Sequence, residues 1–277
     1  MYFGGRRVLR DETTRLLERF GVGLDPGLDE QQLVDAEVIG RLIKAAGVTK
    51  EDTVLEVGAG CGNITTLLAG VAGRVIAVEK NAKFLLMLME RTAPFENVEL
   101  VHGDTLRIGL PPFDKLVSNL PYGICEAFTQ RLIRLDFERA AVIVSSSFAG
   151  IVTAGEGNPR YSRLSLVADA FFKIEELEEV GPDAYYPPPG GSTTIIRLTP
   201  REANDLRLAV LRGVLLQGDK KLKNALREAI IASKAFGLST KREARERVRS
   251  MGLGEALLER RVARLSLPEL RLLIMRL

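Results

Sequence analysis

The stretch Val54-Leu55-Glu56-Val57-Gly58-Ala59-Gly60-Cys61-Gly62-Asn63 decides the fold. A β-rich apolar run passes straight into clustered glycines, and a helical pattern opens near Ile64. Glycines at a strand-to-helix turn adopt backbone conformations closed to other residues and let a ligand approach the helix N-terminus. The spacing departs from G-x-G-x-x-G because Asn63 stands where the third glycine belongs, which disfavours a nicotinamide or flavin site. A tight turn with no ligand is the plain alternative reading of this segment alone.

Outward from this turn, residues 74–79, 98–101, 115–118 and 140–144 are further short β-rich runs separated by helical stretches. Alternating strands and helices predict a parallel sheet covered on both faces by helices. Runs 169–175 and 193–198 flank Tyr185-Tyr186-Pro187-Pro188-Pro189-Gly190-Gly191 and suit an antiparallel hairpin at the sheet edge. The first 45 residues read as a helical lid or arm outside the core, with a helix over 11–20, a turn over 21–29 and a second helix over 32–46.

Three strand ends carry polar groups where ligands of open α/β sheets lie. Glu79 closes the second strand about twenty residues after the glycines, where a carboxylate can accept from both hydroxyls of a ribose. Asp104 follows the third strand. Glycines, Glu79 and Asp104 together point to an adenosine-containing ligand. The fourth strand ends in Asn119-Leu120-Pro121-Tyr122. Here the Asn oxygen and a neighbouring carbonyl can accept both hydrogens of an exocyclic amine, proline fixes the turn, and tyrosine offers a stacking face to a base drawn out of its strand. A proline turn over a buried tyrosine is the bland alternative.

Composition sets the boundaries. The 277 residues accommodate a catalytic domain over 1–200 and a helix-patterned domain over 201–277, with Pro200 at the break. A 46% hydrophobic and 27% charged chain is too apolar for disorder. No apolar run reaches the roughly 20 residues of a membrane span, and Met1–Arg7 lacks a signal-peptide core, so a cytoplasmic location is expected. Cys61, Cys125 and a lone His102 cannot assemble a zinc cluster or disulfide scaffold, and no metal is expected. The cysteines read as packing residues and His102 as a hydrogen-bonding residue. Arginine exceeds lysine 28 to 11 and Asn plus Gln total 11, a composition that leans toward heat adaptation.

The net charge of +3 hides a split: residues 1–199 carry 21 Lys/Arg against 27 Asp/Glu, and residues 200–277 carry 18 against 9. A basic helical tail on an acidic domain predicts contact with nucleic acid, with Lys220, Lys221 and Lys223 as candidate phosphate contacts, although a solvated bundle with spare cations shares the same charge.

With these residues in hand, the chain resembles the S-adenosylmethionine-dependent rRNA adenine N6-dimethyltransferases, the KsgA-type family that includes the erythromycin-resistance methylases. Further matching segments are Leu33-Val34-Asp35, Tyr161-Ser162-Arg163-Leu164-Ser165, Tyr186-Pro187-Pro188-Pro189, Lys221-Leu222-Lys223-Asn224-Ala225-Leu226 and Arg261-Val262-Ala263-Arg264-Leu265-Ser266. The resemblance implies a Rossmann-like methyltransferase sheet with helices on both faces, a small all-helical C-terminal domain, and a monomer acting on rRNA or an immature small ribosomal subunit. It further implies that Gly58 and Gly60 lie against the methionine part of S-adenosylmethionine, Glu79 holds the ribose and Asp104 the adenine amine. Gln31 and Leu33 would close over the cofactor from the arm, and Asn119, Pro121 and Tyr122 would hold the target adenine.

Departures from the family pattern are localised. Where the family carries a basic arm and Gly-Gln-His/Asn-Phe-Leu, this chain reads Leu24-Asp25-Pro26-Gly27-Leu28-Asp29-Glu30-Gln31-Gln32-Leu33, so three carboxylates are expected to repel RNA. Ser145-Ser146-Ser147 replaces a Gln-Lys-Glu triplet, and Gly190-Gly191-Ser192-Thr193 replaces Lys-Val-Asp-Ser. The leading expectation is small-subunit rRNA adenine dimethylation. The alternatives are a paralogue acting on another RNA adenosine and a non-catalytic rRNA-binding assembly factor.

Overall fold

The computed structural model describes residues 6–202 and 205–277; residues 1–5 of the stretch read for a signal sequence lie outside them. Helix α1 (Arg6–Phe20), strand β1 (Gln32–Leu33) and helix α2 (Ala36–Ala46) lead into the alternating region. There follow β2 (Thr53–Val57), α3 (Asn63–Ala69), β3 (Arg74–Glu79), α4 (Ala82–Thr92), β4 (Val98–His102), β5 (Lys115–Asn119), α5 (Cys125–Leu132), β6 (Arg139–Ser145) and α6 (Ser146–Val152). After α7 (Arg163–Phe171), β7 (Phe172–Val180), β8 (Tyr185–Tyr186) and β9 (Thr193–Pro200), the rest is helical: α8 (Leu206–Leu215), α9 (Leu222–Ala232), α10 (Lys241–Ser250), α11 (Glu255–Glu259) and α12 (Leu267–Arg276).

The main sheet has seven strands in the order β4-β3-β2-β5-β6-β9-β7. Strands β2 to β6 pair in parallel, and β9 joins β6 antiparallel with Val142 opposite Ile196. Successive strand residues face opposite sides of a sheet. Val54, Val75 and Val117 on one side and Leu55, Ile76 and Leu116 on the other are all fully buried, so both faces are covered. This is the Rossmann-like α/β architecture expected. The edge strand differs in extent: β7 begins at Phe172, because 163–171 forms α7, closed at its start by a Ser162–Ser165 capping box.

The arm departs further from its sequence reading. Gln32–Leu33 is not the start of a helix but pairs antiparallel with Tyr185–Tyr186, and α2 starts only after Asp35, whose side chain accepts from the backbone of Glu37 and Val38 at 3.0 and 3.2 Å. Nor is α2 a detachable lid. Its Val38, Ile39, Leu42 and Ile43 are buried in one cluster with Ile64 and Leu68 of α3 and with Val54, Val117 and Ile143 of the sheet. Each such aliphatic side chain contributes about 2 kcal/mol on burial.

The chain divides into two compact units, 1–153 with 173–200, and 154–172 with 201–277. The boundary near 200 is therefore one of three crossings. The second unit holds the excursion 154–172 through Arg271, whose guanidinium lies over the Tyr161 ring at 5.0 Å, and through Arg212, which donates to Ala170 O at 2.6 Å. Residues 154–172 carry two charges of each sign, so this unit keeps the strong basic excess. Within it, Gly213 lets α8 approach α9 closely, since a Cβ there would lie 2.9 Å from Ala229 Cβ. The tail segments singled out in the sequence meet each other: Leu222 N donates to Arg260 O at 2.8 Å and Val262 N to Lys220 O at 3.0 Å.

Candidate active site

A cavity of about 560 Å³ opens at the carboxyl ends of β2 to β5. Of the residues singled out in the sequence, Gln31, Leu33, Gly58, Gly60, Glu79, Asp104, Asn119 and Pro121 line it, whereas Tyr122 does not.

The glycine turn is built by close approach as much as by backbone angle. Gly58, Gly60 and Gly62 have φ of 71°, 54° and 82°, the left-handed region that favours glycine. A Cβ on Gly58 would stand 3.1 Å from Pro121 Cγ, and one on Gly60 would stand 2.4 Å from Gln32 Oε1. The turn is thus wedged between the arm and the Asn119–Tyr122 loop. Asn63, the residue that breaks the dinucleotide spacing, has structural employment of its own: Nδ2 donates to Leu33 O at 2.9 Å and Oδ1 accepts from Thr13 Oγ1 at 3.0 Å.

Three of the carboxylates that line the cavity come from the sheet and its strand ends: Glu56, Glu79 and Asp104. Glu79 is buried, and its two oxygens accept from the backbone N–H of Asn81 at 2.7 Å and of Gly60 at 2.8 Å. Burial raises its pKa and these N–H groups oppose the rise. Asp104 is held below the usual carboxylate range, first by the Leu106 N–H at 2.9 Å and then by Lys80 at 3.1 Å. Glu56, to which the sequence pattern assigned no role, is 1% exposed and accepts from Thr65 Oγ1 at 2.6 Å. Burial pushes its pKa up to about 8, with the Glu79 charge adding to the rise. An acidic residue amid the buried apolar run of β2 was the available signal for it.

Asn119 ends β5, and its Oδ1 is buried with no hydrogen-bond partner among the described residues. A buried acceptor without a donor costs about 1–3 kcal/mol, so this atom marks a place built for a donor. Tyr122 opens a short turn over 122–124, and burial raises its hydroxyl pKa to about 12.

Each of the three arm carboxylates has a partner in the fold, but only Glu30 is buried, while Asp29 is half-buried and Asp25 exposed. Asp25 caps the turn Pro26–Leu28 by accepting from Gly27 N at 2.8 Å. Asp29 Oδ2 accepts from Gly123 N at 2.8 Å. Glu30, 6% exposed, pairs with Lys83 Nζ at 2.5 Å and accepts from Asp25 N at 2.8 Å. On the glycine side Gln32 Oε1 accepts from Cys61 N at 2.9 Å, while Gln31 Nε2 donates to Pro26 O at 2.9 Å.

Elsewhere, Ser145 caps α6, its Oγ accepting from Phe148 N at 3.3 Å, and Ser146 Oγ lies 2.8 Å from Thr194 Oγ1. His102 Nε2 is 3.2 Å from Lys80 O. Cys61 and Cys125 are buried, and burial raises both thiols to about 12. Among the described residues no cluster of three or more His, Cys, Asp or Glu is placed to hold a metal ion.

In the second unit, Lys220 pairs with Glu228, and Lys221 and Lys223 both pair with Glu259, whose carboxyl they hold down at about 2. Beside Lys223 a groove of about 340 Å³ is lined by Arg227, Arg245 and Arg249, with Glu255 and Glu259 as its acidic members. The sequence reading did not single out these arginines; the four-residue spacing of Arg245 and Arg249 on α10 was the signal for them.

The sequence pattern described as ribosomal RNA adenine dimethylase matches residues 27–242. The probable ribosomal RNA small subunit methyltransferase A of Pyrococcus abyssi is 33% identical over 222 residues, covering 80% of this chain and 82% of that one. Among solved structures, a dimethyladenosine transferase from Plasmodium falciparum (24% identity, TM-score 0.58) covers 86% of this chain and 94% of its own. The 23S rRNA methyltransferase ErmE (24% identity, TM-score 0.60) covers 88% and 98%, and both share the fold. By its sequence, then, the chain belongs to the ribosomal RNA adenine dimethylase family.

Proposed function

We propose that the protein is an S-adenosylmethionine-dependent methyltransferase that places two methyl groups on N6 of adenosines in small-subunit rRNA. The observation that carries this reading is Asn119 Oδ1, a buried acceptor without a partner on a residue that lines the same cavity as the glycine turn, Glu56, Glu79 and Asp104.

The residues present fit the cofactor. The cavity has the size of a small-ligand site. Gly58 and Gly60 would bear the methionine part, Glu79 the ribose and Asp104 the adenine amine, with Gln31 and Leu33 closing from the arm. Glu56, buried and without a cation beside it, would balance the positive charge of the ligand. Bound there, S-adenosylmethionine supplies an electrophilic methyl group.

The chain's own task is positioning. Asn119 Oδ1 accepts a hydrogen of the exocyclic amine and so orients the nitrogen lone pair. Pro121 fixes the loop against the glycine turn, and Tyr122 offers a ring face to the extruded base. A positioned amine needs no strong general base, because orientation supplies most of the effect. The basic second unit would hold the RNA, its groove beside Lys223 contacting backbone phosphate while Lys220 and Lys221 extend the field.

A non-catalytic assembly factor is the rival. Its supports are Ser145-Ser146-Ser147 and the acidic arm, in which Glu30 alone is buried and paired with a cation, Lys83. Calorimetry with S-adenosylmethionine separates the two: micromolar binding, together with methyl label appearing in N6-methylated adenosine after incubation with immature small subunits, supports the enzyme. Absence of cofactor binding beside tight rRNA binding supports the factor.

A further inference from the structure

The 122–124 turn lacks a cap of its own. Its first flanking residue is Pro121, which has no side-chain acceptor to offer; Pro121 O takes the Ile124 N–H at 3.1 Å, and the Gly123 N–H needs an acceptor from elsewhere. The missing acceptor comes from 94 residues away: Asp29 Oδ2 takes the Gly123 N–H at 2.8 Å. Asp29 is held in place to do so. It sits at φ 58°, a left-handed conformation that Asp and Asn tolerate better than most side chains, directly after the turn Pro26–Leu28. Three residues later the same arm reaches the glycine turn, where Gln32 Oε1 accepts the Cys61 N–H at 2.9 Å. One short segment therefore grips both the turn proposed for the cofactor and the loop proposed for the target base.

We infer that Asp29 is a positioning residue: by capping the Tyr122–Ile124 turn through Gly123 N, it couples the arm that closes the cavity to the aim of Asn119 and Tyr122. This rests on the methyltransferase reading above. Asp29 acts through the loop, and its effect is expected in the rate of transfer and not in cofactor affinity. Displacing a reacting group by about 1 Å costs up to about a hundredfold in rate.

Two variants isolate the acceptor from backbone strain. Asp29→Gly keeps the left-handed conformation and removes the carboxylate; Asp29→Asn keeps both the conformation and an acceptor oxygen but removes the charge. Full-length protein with labelled S-adenosylmethionine and immature small subunits should show kcat lowered about tenfold to a hundredfold by Asp29→Gly, with cofactor Kd within about twofold, and recovery to within about threefold of wild type in Asp29→Asn. Amide exchange gives a readout independent of turnover: the Gly123 N–H should exchange about tenfold faster in Asp29→Gly and as in wild type in Asp29→Asn. Unchanged kcat or unchanged Gly123 exchange in Asp29→Gly overturns the inference, as does equal loss of activity in both variants, which would assign the effect to charge. A wild-type protein inactive on every rRNA substrate sinks the methyltransferase reading instead, and the Gly123 exchange still decides whether Asp29 caps the turn.

Discussion

The backbone N–H of Gly60 donates to Glu79 Oε2 at 2.8 Å, so the carboxylate proposed to hold a ribose also fastens the glycine turn to the end of β3. The two functions draw on different lone pairs of the same group, since an ionised carboxylate accepts at about four sites. Glu79→Gln keeps the side chain's size but sets an NH₂ donor against either the Gly60 or the Asn81 N–H. Cofactor Kd by calorimetry should rise at least about tenfold, and denaturant unfolding should show a loss of about 1–3 kcal/mol from the mismatched donors. Unaltered affinity would remove Glu79 from the cofactor site.

The raised pKa of Glu56 makes a pH prediction with a definite sign. Folded Glu56 titrates near 8, against an ordinary 4.5 when unfolded, so the folded state binds the extra proton between those values. Stability from this group is therefore complete at acidic pH and is lost as pH rises through about 8. Glu56→Gln should flatten that decline, with Tm rising relative to wild type at pH 9 and little difference at pH 5. Conversely, a cationic ligand should ionise Glu56 on binding. Calorimetry at pH 7 in buffers of different ionisation enthalpy should then show release of up to about one proton, absent in Glu56→Gln.

Reversing the charge of Glu30 should weaken the fold. In Glu30→Lys a second cation faces Lys83 in a buried site, and the acceptors for Asp25 N and Asn81 Nδ2 vanish. A loss of about 3–5 kcal/mol in denaturant unfolding is expected, as for other broken buried pairs. A gain in RNA affinity with unchanged stability would show that the Glu30 charge acts on RNA and not on the fold.

Glu259 competes for two of the lysines proposed to meet phosphate. Glu259→Gln frees Lys221 and Lys223, and RNA binding measured at several salt concentrations should tighten and steepen, each newly engaged phosphate adding about 0.7–0.9 to the log–log slope. Exchanging Arg245 and Arg249 for Ala should flatten the slope by a similar amount for each phosphate set free. Slopes unmoved by either change would leave this basic surface merely solvated.

How much of this was legible depended on the range of the interaction. The strand ends were readable because parallel strands are continuous apolar runs and the polar residues that interrupt them, Glu79, Asp104 and Asn119, stand out at their carboxyl ends. The arm was misread because its partners are remote: β1 finds its hydrogen bonds on β8, Asp29 on Gly123 and Glu30 on Lys83, and no local periodicity encodes such pairings. Likewise nothing local in α7 assigns it to the second unit; remote partners such as Arg271 on Tyr161, Arg201 on Asp169 and Arg212 on Ala170 O do so. Glu56 was hidden by the strand it sits in, where one acid within an apolar run reads as an exposed face until burial is known.

Whether the cavity serves methyl transfer to a positioned adenine is tested most directly by Asn119→Ala, assayed in parallel for cofactor Kd by calorimetry and for labelled methyl transfer to immature small subunits with nucleoside analysis. The Oδ1 of Asn119 has no hydrogen-bond partner among the described residues, so its removal should leave stability and, within about tenfold, cofactor affinity intact while abolishing label in N6-methylated adenosine. Undiminished transfer by Asn119→Ala would contradict the assignment.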